Sequence, residues 1–272
     1  MNTTPIEKQF LRMGSRLKVQ EPAPPKRRWW WQPAADYSLD TGVDRHGPHY
    51  VLSVPTGMRD DLEANVLQVR PDEKHLLLMV RHGNGDIDRF LCGHDERDWF
   101  VAAVPDRVST VNDAMESLKP AAVHKAQAMA GLNGRERKRR KNKAYRRQGE
   151  WFFVPKPGLS FDAGNILVWE PIARSGGKPH QVQLLVRTGG ELKYFCQHRP
   201  DGLSEEAYAK LLKQRPRAKN WGWRAQRVNP GVFAKGEVRH PDHKTIVLHE
   251  WHEVLMNTEN KSRTMQHVAF ID

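Results

Sequence analysis

The chain has 272 residues, 38% of them apolar, with nine Trp and nine Phe, enough for one large or two ordinary domains with cores of their own. A formal charge of +12 favours a polyanionic partner, and two cysteines are too few for a disulfide framework. No segment approaches the roughly 20 apolar residues needed to cross a bilayer, and the opening residues lack the apolar run of a secretory signal, so a soluble, cytoplasmic protein with no membrane partner is expected.

In chain order, residues 1–36 read as an N-terminal arm. The stretch QEPAPPKRRWWWQPAAD is proline-rich, which disfavours helix. Within it Lys26, Arg27 and Arg28 precede Trp29, Trp30 and Trp31. Cations beside indole faces suit phosphate contact and base stacking; the same tryptophans would equally serve to anchor the arm on the protein's own core.

Residues 37–131 read as a first α+β module. HYVLSVP and NVLQVR are strands that stop at Pro55 and Pro71. KHLLLMVRHGNGDIDRFLCGH is a hairpin turning at Gly83-Asn84-Gly85-Asp86, DWFVAAVP a further strand, and STVNDAMESL and AAVHKAQAMAGL two helices, the first capped by Ser109 or Thr110.

Residues 132–148 read as a basic linker. RERKRRKNKAYRR, from Arg135 to Arg147, holds nine Lys or Arg and one Glu, about two thirds of the net charge. Like charges this dense repel one another unless an anion lies beside them. Arg135, Arg137, Lys138, Arg139, Arg140, Lys141, Lys143, Arg146 and Arg147 are therefore candidate phosphate contacts, with Tyr145 a candidate for stacking on a base. As a helix this run would be cationic almost all round.

Residues 149–272 read as a second α+β module with a C-terminal β extension. GEWFFVP and HQVQLLVRTGGELKYFCQH repeat the strand, Gly-rich turn and strand of the first half, and LSEEAYAKLLKQ is a helix capped by Ser204. Met79-Val80-Arg81-His82-Gly83 followed by Phe90-Leu91-Cys92-Gly93-His94 corresponds to Leu185-Val186-Arg187-Thr188-Gly189 followed by Tyr194-Phe195-Cys196-Gln197-His198. The spacing of about 100 residues suggests a divergent internal duplication of domain-sized units, not a solenoid repeat.

Three constellations carry candidate chemistry. Residues two apart on a strand share a face, so Cys92 with His94 and Cys196 with His198 would converge on a Cys2His2 zinc site if the modules were related by a pseudo-twofold axis. The plainer reading packs each cysteine in a core, and a Cys-His nucleophile is disfavoured because each half has such a pair. His240, His243, His249 and His252 lie within thirteen residues, interleaved with Asp242, Glu250 and Glu253. They would supply a metal-dependent hydrolase or nuclease, with Glu250 as general base, although no H-E-x-x-H spacing is present. Phosphate-loop, dinucleotide and nucleophile-elbow motifs are absent.

The leading expectation is an α+β, two-module nucleic-acid-binding protein, RNA or DNA, that acts beside other proteins of a nucleoprotein complex. No cofactor is expected on this reading. The alternatives are the metal-dependent enzyme, with zinc, and a structural or protein-interaction module.

Overall fold

The computed structural model describes residues 4–22, 37–174 and 178–259. Strands dominate an α+β architecture built from four sheets and five α-helices among the described residues. None of these helices is long and apolar enough to cross a membrane.

The N-terminal stretch differs from the expected arm. Helix α1 (Thr4–Met13) places Ile6, Phe10 and Met13 on one face, four and then three residues apart, and buries all three. Strand β1 (Leu17–Gln20) then runs parallel to β3 (Gly47–Ser53), whose other edge pairs with β2 (Ser38–Asp44). An apolar stripe in residues 4–13 thus ties the N-terminus to the core. Lys26, Arg27, Arg28 and Trp30 lie outside the described residues.

Strands β4 (Leu62–Arg70), β5 (His75–His82), β6 (Ile87–Asp95) and β7 (Asp98–Val104) form an antiparallel meander. The expected hairpin is present between β5 and β6, closed by Gly85 N donating to His82 O at 2.9 Å and His82 N to Asp86 O at 2.9 Å. The unbroken run Leu76–Val80 reflects burial on both faces. Leu76, Leu78 and Val80 pack with Phe10, Tyr50 and Phe90, while Leu77 faces Leu91, Val111 and Leu118 on the opposite side. That second layer belongs to α2 (Val111–Ser117), whose cap Thr110 accepts from Asp113 N at 3.1 Å. Helix α3 (Ala121–Met129) and the single turn α4 (Gly134–Arg137) follow.

In the second half, β8 (Arg146–Gln148), β9 (Trp151–Pro155), β10 (Leu167–Ile172), β11 (His180–Thr188), β15 (Gly231–His240) and β16 (His243–Met256) make one antiparallel sheet. Their order is β10-β11-β15-β16-β9-β8. The C-terminal segment is therefore the middle of the sheet, not an extension of it. A smaller sheet, β13-β12-β14, combines β12 (Glu191–Cys196), β13 (Arg199–Ser204) and β14 (Arg224–Val228) with helix α5 (Glu205–Gln214). Ser204 caps α5 as expected, accepting from Ala207 N at 3.3 Å.

Two expectations are corrected by this topology. β11 and β12 do not pair with each other: Gly189 and Gly190 take φ of 69° and 83°, and the chain leaves the large sheet to start the small one. The shared strand-turn-strand grammar thus produces two different pairings. The stretch 132–148 is also not a linker. Leu132, Ala144 and Tyr145 join Val123, Phe152 and Val154 in a core that welds α3 to β9.

Candidate functional site

The basic stretch folds back on itself. After one turn of α4, capped by Asn133 and Glu136, the side chain of Asn142 accepts from Ala144 N and Tyr145 N at 2.9 and 3.0 Å. This Asx turn competes with continued helix and reverses the chain, so that Arg147 N donates to Arg140 O at 2.7 Å. The all-round cationic helix is not formed.

The nine cations consequently divide. Arg135, Lys138, Arg139, Lys141 and Lys143 are exposed, and none is in an ion pair with another described residue. Arg137 and Arg146 are half-buried and donate to the carbonyls of Leu132, at 2.9 Å, and Val247, at 2.5 Å. Arg140 pairs with Asp95 and Glu96 at the β6–β7 turn, and Arg147 lies 3.6 Å from Asp95 and over the Phe152 ring. Burial, then the charge of Arg147, pull the Arg140 guanidinium down to about 10, so it stays cationic at neutral pH. Tyr145 is 2% exposed and donates to Arg137 O at 2.8 Å. It is a core residue, unavailable for stacking.

A second basic surface went unread in the sequence. In the small sheet and α5, Arg199, Lys210, Lys213, Arg215, Arg217, Lys219, Arg224 and Arg227 are all exposed. The same lobe holds an aromatic cluster: half-buried Tyr194 stacks on Tyr208 at 4.1 Å, Tyr208 meets Trp223 at 4.9 Å and Trp221 meets the exposed His198 at 4.7 Å. The interleaving of cations and indoles in KQRPRAKNWGWRAQR was the available signal.

The histidines regroup. His240 ends β15 and His243 begins β16, paired across the two-residue turn Pro241-Asp242. The third member is His180, at the start of β11, because pairing of Gln181 with Arg239 sets it beside His240. Ring centroids are 4.2 Å apart for His180 and His240, 4.6 Å for His240 and His243, and 5.6 Å for His180 and His243. One nitrogen from each lies within 4.8 Å of the others. His180 is 1% exposed, and neither of its ring nitrogens has a hydrogen-bond partner. Burial, then the charges of His240 and His243, push its imidazole down to about 3.

The other expected ligands are elsewhere. His249 and Glu250 are exposed on β16, and His252 is buried with Nδ1 2.8 Å from Glu250 O. Nine strand residues, roughly 30 Å, separate His252 from His243, so a four-histidine site with Glu250 as base is not assembled. The Cys2His2 site is not assembled either. Cys92 is fully buried in the first core, Cys196 is half-buried in the small sheet, and His94 and His198 pack against Trp99 and Trp221.

The histidine trio sits at a seam. Glu96, on the β6–β7 turn, accepts from Lys244 N at 2.9 Å and lies 3.4 Å from His243 Nδ1. Next to it is a cleft of about 290 Å3 whose walls include Asp95, Asp98, Arg147, Gly149, Asp242 and His243. Comparisons with protein families, curated proteins and solved structures returned no match.

Proposed function

We propose that the protein binds nucleic acid through two exposed basic surfaces, the loop bearing Arg135, Lys138, Arg139, Lys141 and Lys143 and the aromatic lobe of residues 191–228. The observation that supports this most is the separation of the nine cations into a half-buried, carboxylate-paired or carbonyl-bonded minority and five exposed groups without ion partners among the described residues. Cations left outside a network of self-neutralisation are those whose charge is available to release counterions from phosphates. The lobe adds aromatic faces beside cations, the combination that accommodates single strands. Arg140, Arg147 and Tyr145 are engaged internally and lie outside this contact set.

The test is the salt dependence of binding to labelled single- and double-stranded RNA and DNA. Each phosphate contact contributes about −0.7 to −0.9 to the slope of log K against log salt. Replacing Arg135, Lys138, Arg139, Lys141 and Lys143 together with Ala is expected to flatten that slope while leaving the fold intact. An unchanged slope, or equal affinity for heparin, turns the reading towards a protein-interaction module with an acidic partner.

A further inference from the structure

We propose that His180, His240 and His243 form a binding site for one divalent transition metal, Zn2+ being the class expected. Three independent features converge on it. The first is the cluster itself, with a nitrogen from each ring within 4.8 Å of the others. A tetrahedral zinc with Zn–N of about 2.0–2.1 Å separates its nitrogens by roughly 3.3 Å, so imidazole shifts of about an ångström close the set.

The second is the state of His180. A buried imidazole ordinarily satisfies at least one nitrogen, because an unmade hydrogen bond in the interior carries the full desolvation penalty of the polar atom. His180 satisfies neither, at 1% exposure, within reach of two further imidazoles. A lone pair on this ring therefore meets no donor from the described residues.

The third is the floor of the site. A Cβ on Gly149 would stand 2.8 Å from His243 Nε2 and 3.4 Å from His180 Nε2. Both nitrogens therefore face one point that residue 149 leaves open. Of the outer rings, His240 has the kind of partner that fixes a ligating imidazole, its Nε2 lying 3.2 Å from Lys178 O, while the Glu96 carboxylate stands 3.4 Å from His243 Nδ1 without a hydrogen bond between them. His240 would then ligate through Nδ1, which accepts from Asp242 N at 3.1 Å and must be released from it. With imidazoles and no thiolate, the donor set suits zinc, copper or nickel and not calcium or magnesium.

The experiment uses the full chain, stripped with chelator and titrated with Zn2+ by calorimetry, with Co2+ absorption as a second readout of low-symmetry nitrogen coordination. One equivalent bound at micromolar concentration or tighter, together with a raised Tm, is expected. His240→Ala and His243→Ala, both at half-buried positions, should each weaken binding tenfold or more, and Gly149→Ala should weaken it by crowding the nitrogens. His249→Ala, on the same strand but remote, should leave it unchanged. No saturable binding at micromolar Zn2+ overturns the proposal, as does stoichiometric binding that survives the His240→Ala, His243→Ala double variant. Circular dichroism of each variant shows whether a loss reflects the ligand set or the fold; if His243→Ala unfolds, the Gly149→Ala and His240→Ala arms decide.

Discussion

The meander β4–β7 and the small sheet β13-β12-β14 share a piece of sequence, a glycine turn leading into a strand that carries an aromatic residue two places before Cys-x-His, yet they differ in what covers them. In the meander, Phe90 and Cys92 are completely buried between sheets and α1. In the small sheet, the corresponding Tyr194 and Cys196 are only half-buried, and Ala218 is the one fully covered side chain in the described lobe from residue 191 to 228. Local grammar selects strand and turn; burial is decided by which other elements arrive. The meander receives α1 on one face and α2 on the other, whereas the lobe receives only α5, which buries none of its own residues.

The largest test of this contrast is truncation of the two matched rings. Phe90→Ala removes a fully enclosed side chain and is expected to cost about 3–5 kcal/mol. Tyr194→Ala forfeits partial burial and the stack on Tyr208, which aromatic pairs value at about 0.5–1.5 kcal/mol. Urea unfolding of both variants measures the difference. Equal losses would mean that the lobe is as well supported as the meander.

Next in size are the turns that send the two strands to different partners. Gly190 has φ of 83°, and a Cβ there would stand 2.7 Å from Val228 O and 3.1 Å from Pro230 N. Gly190→Ala therefore adds a backbone clash to the left-handed penalty of about 1–2 kcal/mol. Gly85→Ala, at φ of 91° with nothing within 4 Å, incurs the backbone penalty alone. Thermal melts should rank Gly190→Ala below Gly85→Ala. The reverse order would remove the reason for the split between β11 and β12.

A smaller effect separates the large sheet from both. His252, buried in β16, is pulled below the ordinary histidine value by burial, against the opposing hydrogen bond to Glu250 O. The unfolded chain therefore takes up this proton first as pH falls below about 6.5. Stability is fully present above that pH and declines on acidification towards the lowered folded value, by at most about 1.4 kcal/mol per pH unit for one proton. His252→Asn, which retains a donor towards Glu250, should flatten the dependence of Tm on pH in that window. An unchanged profile would assign the acid sensitivity to other groups.

Much of the architecture could be read residue by residue, and the failures share a cause. Turns and caps at Gly83–Asp86, Thr110 and Ser204 are local devices, and each falls where its chemistry placed it. Duplication is not shown, because the correspondence lies in local sequence while sheet order brings β15, not β12, alongside β11. The same non-local pairing hid the histidine cluster: His180 stands sixty positions before His240, and its one signal is a lone histidine opening a strand. His249 and His252 were attractive because they are close in sequence, but an extended strand carries them away from His243. In the basic stretch, residue type gave the charge, whereas the identity of the exposed five depended on Asn142 reversing the chain and on carboxylates arriving from the β6–β7 turn.

The finest probe of the contrast uses the two cysteines themselves. Thiolate is the reacting species, so both access and ionisation govern modification. Cys92 has neither advantage, since it is fully enclosed and burial pushes its thiol well up. Cys196 is half-buried in the lobe whose covering is thinnest. A thiol reagent under native conditions should therefore modify one cysteine per chain, and denaturant should reveal the second. Cys196→Ser should abolish the native reaction and Cys92→Ser should leave it. If both thiols react natively at one rate, the meander opens as readily as the lobe, and burial by α1 and α2 does not confer the difference in local stability that separates the two regions.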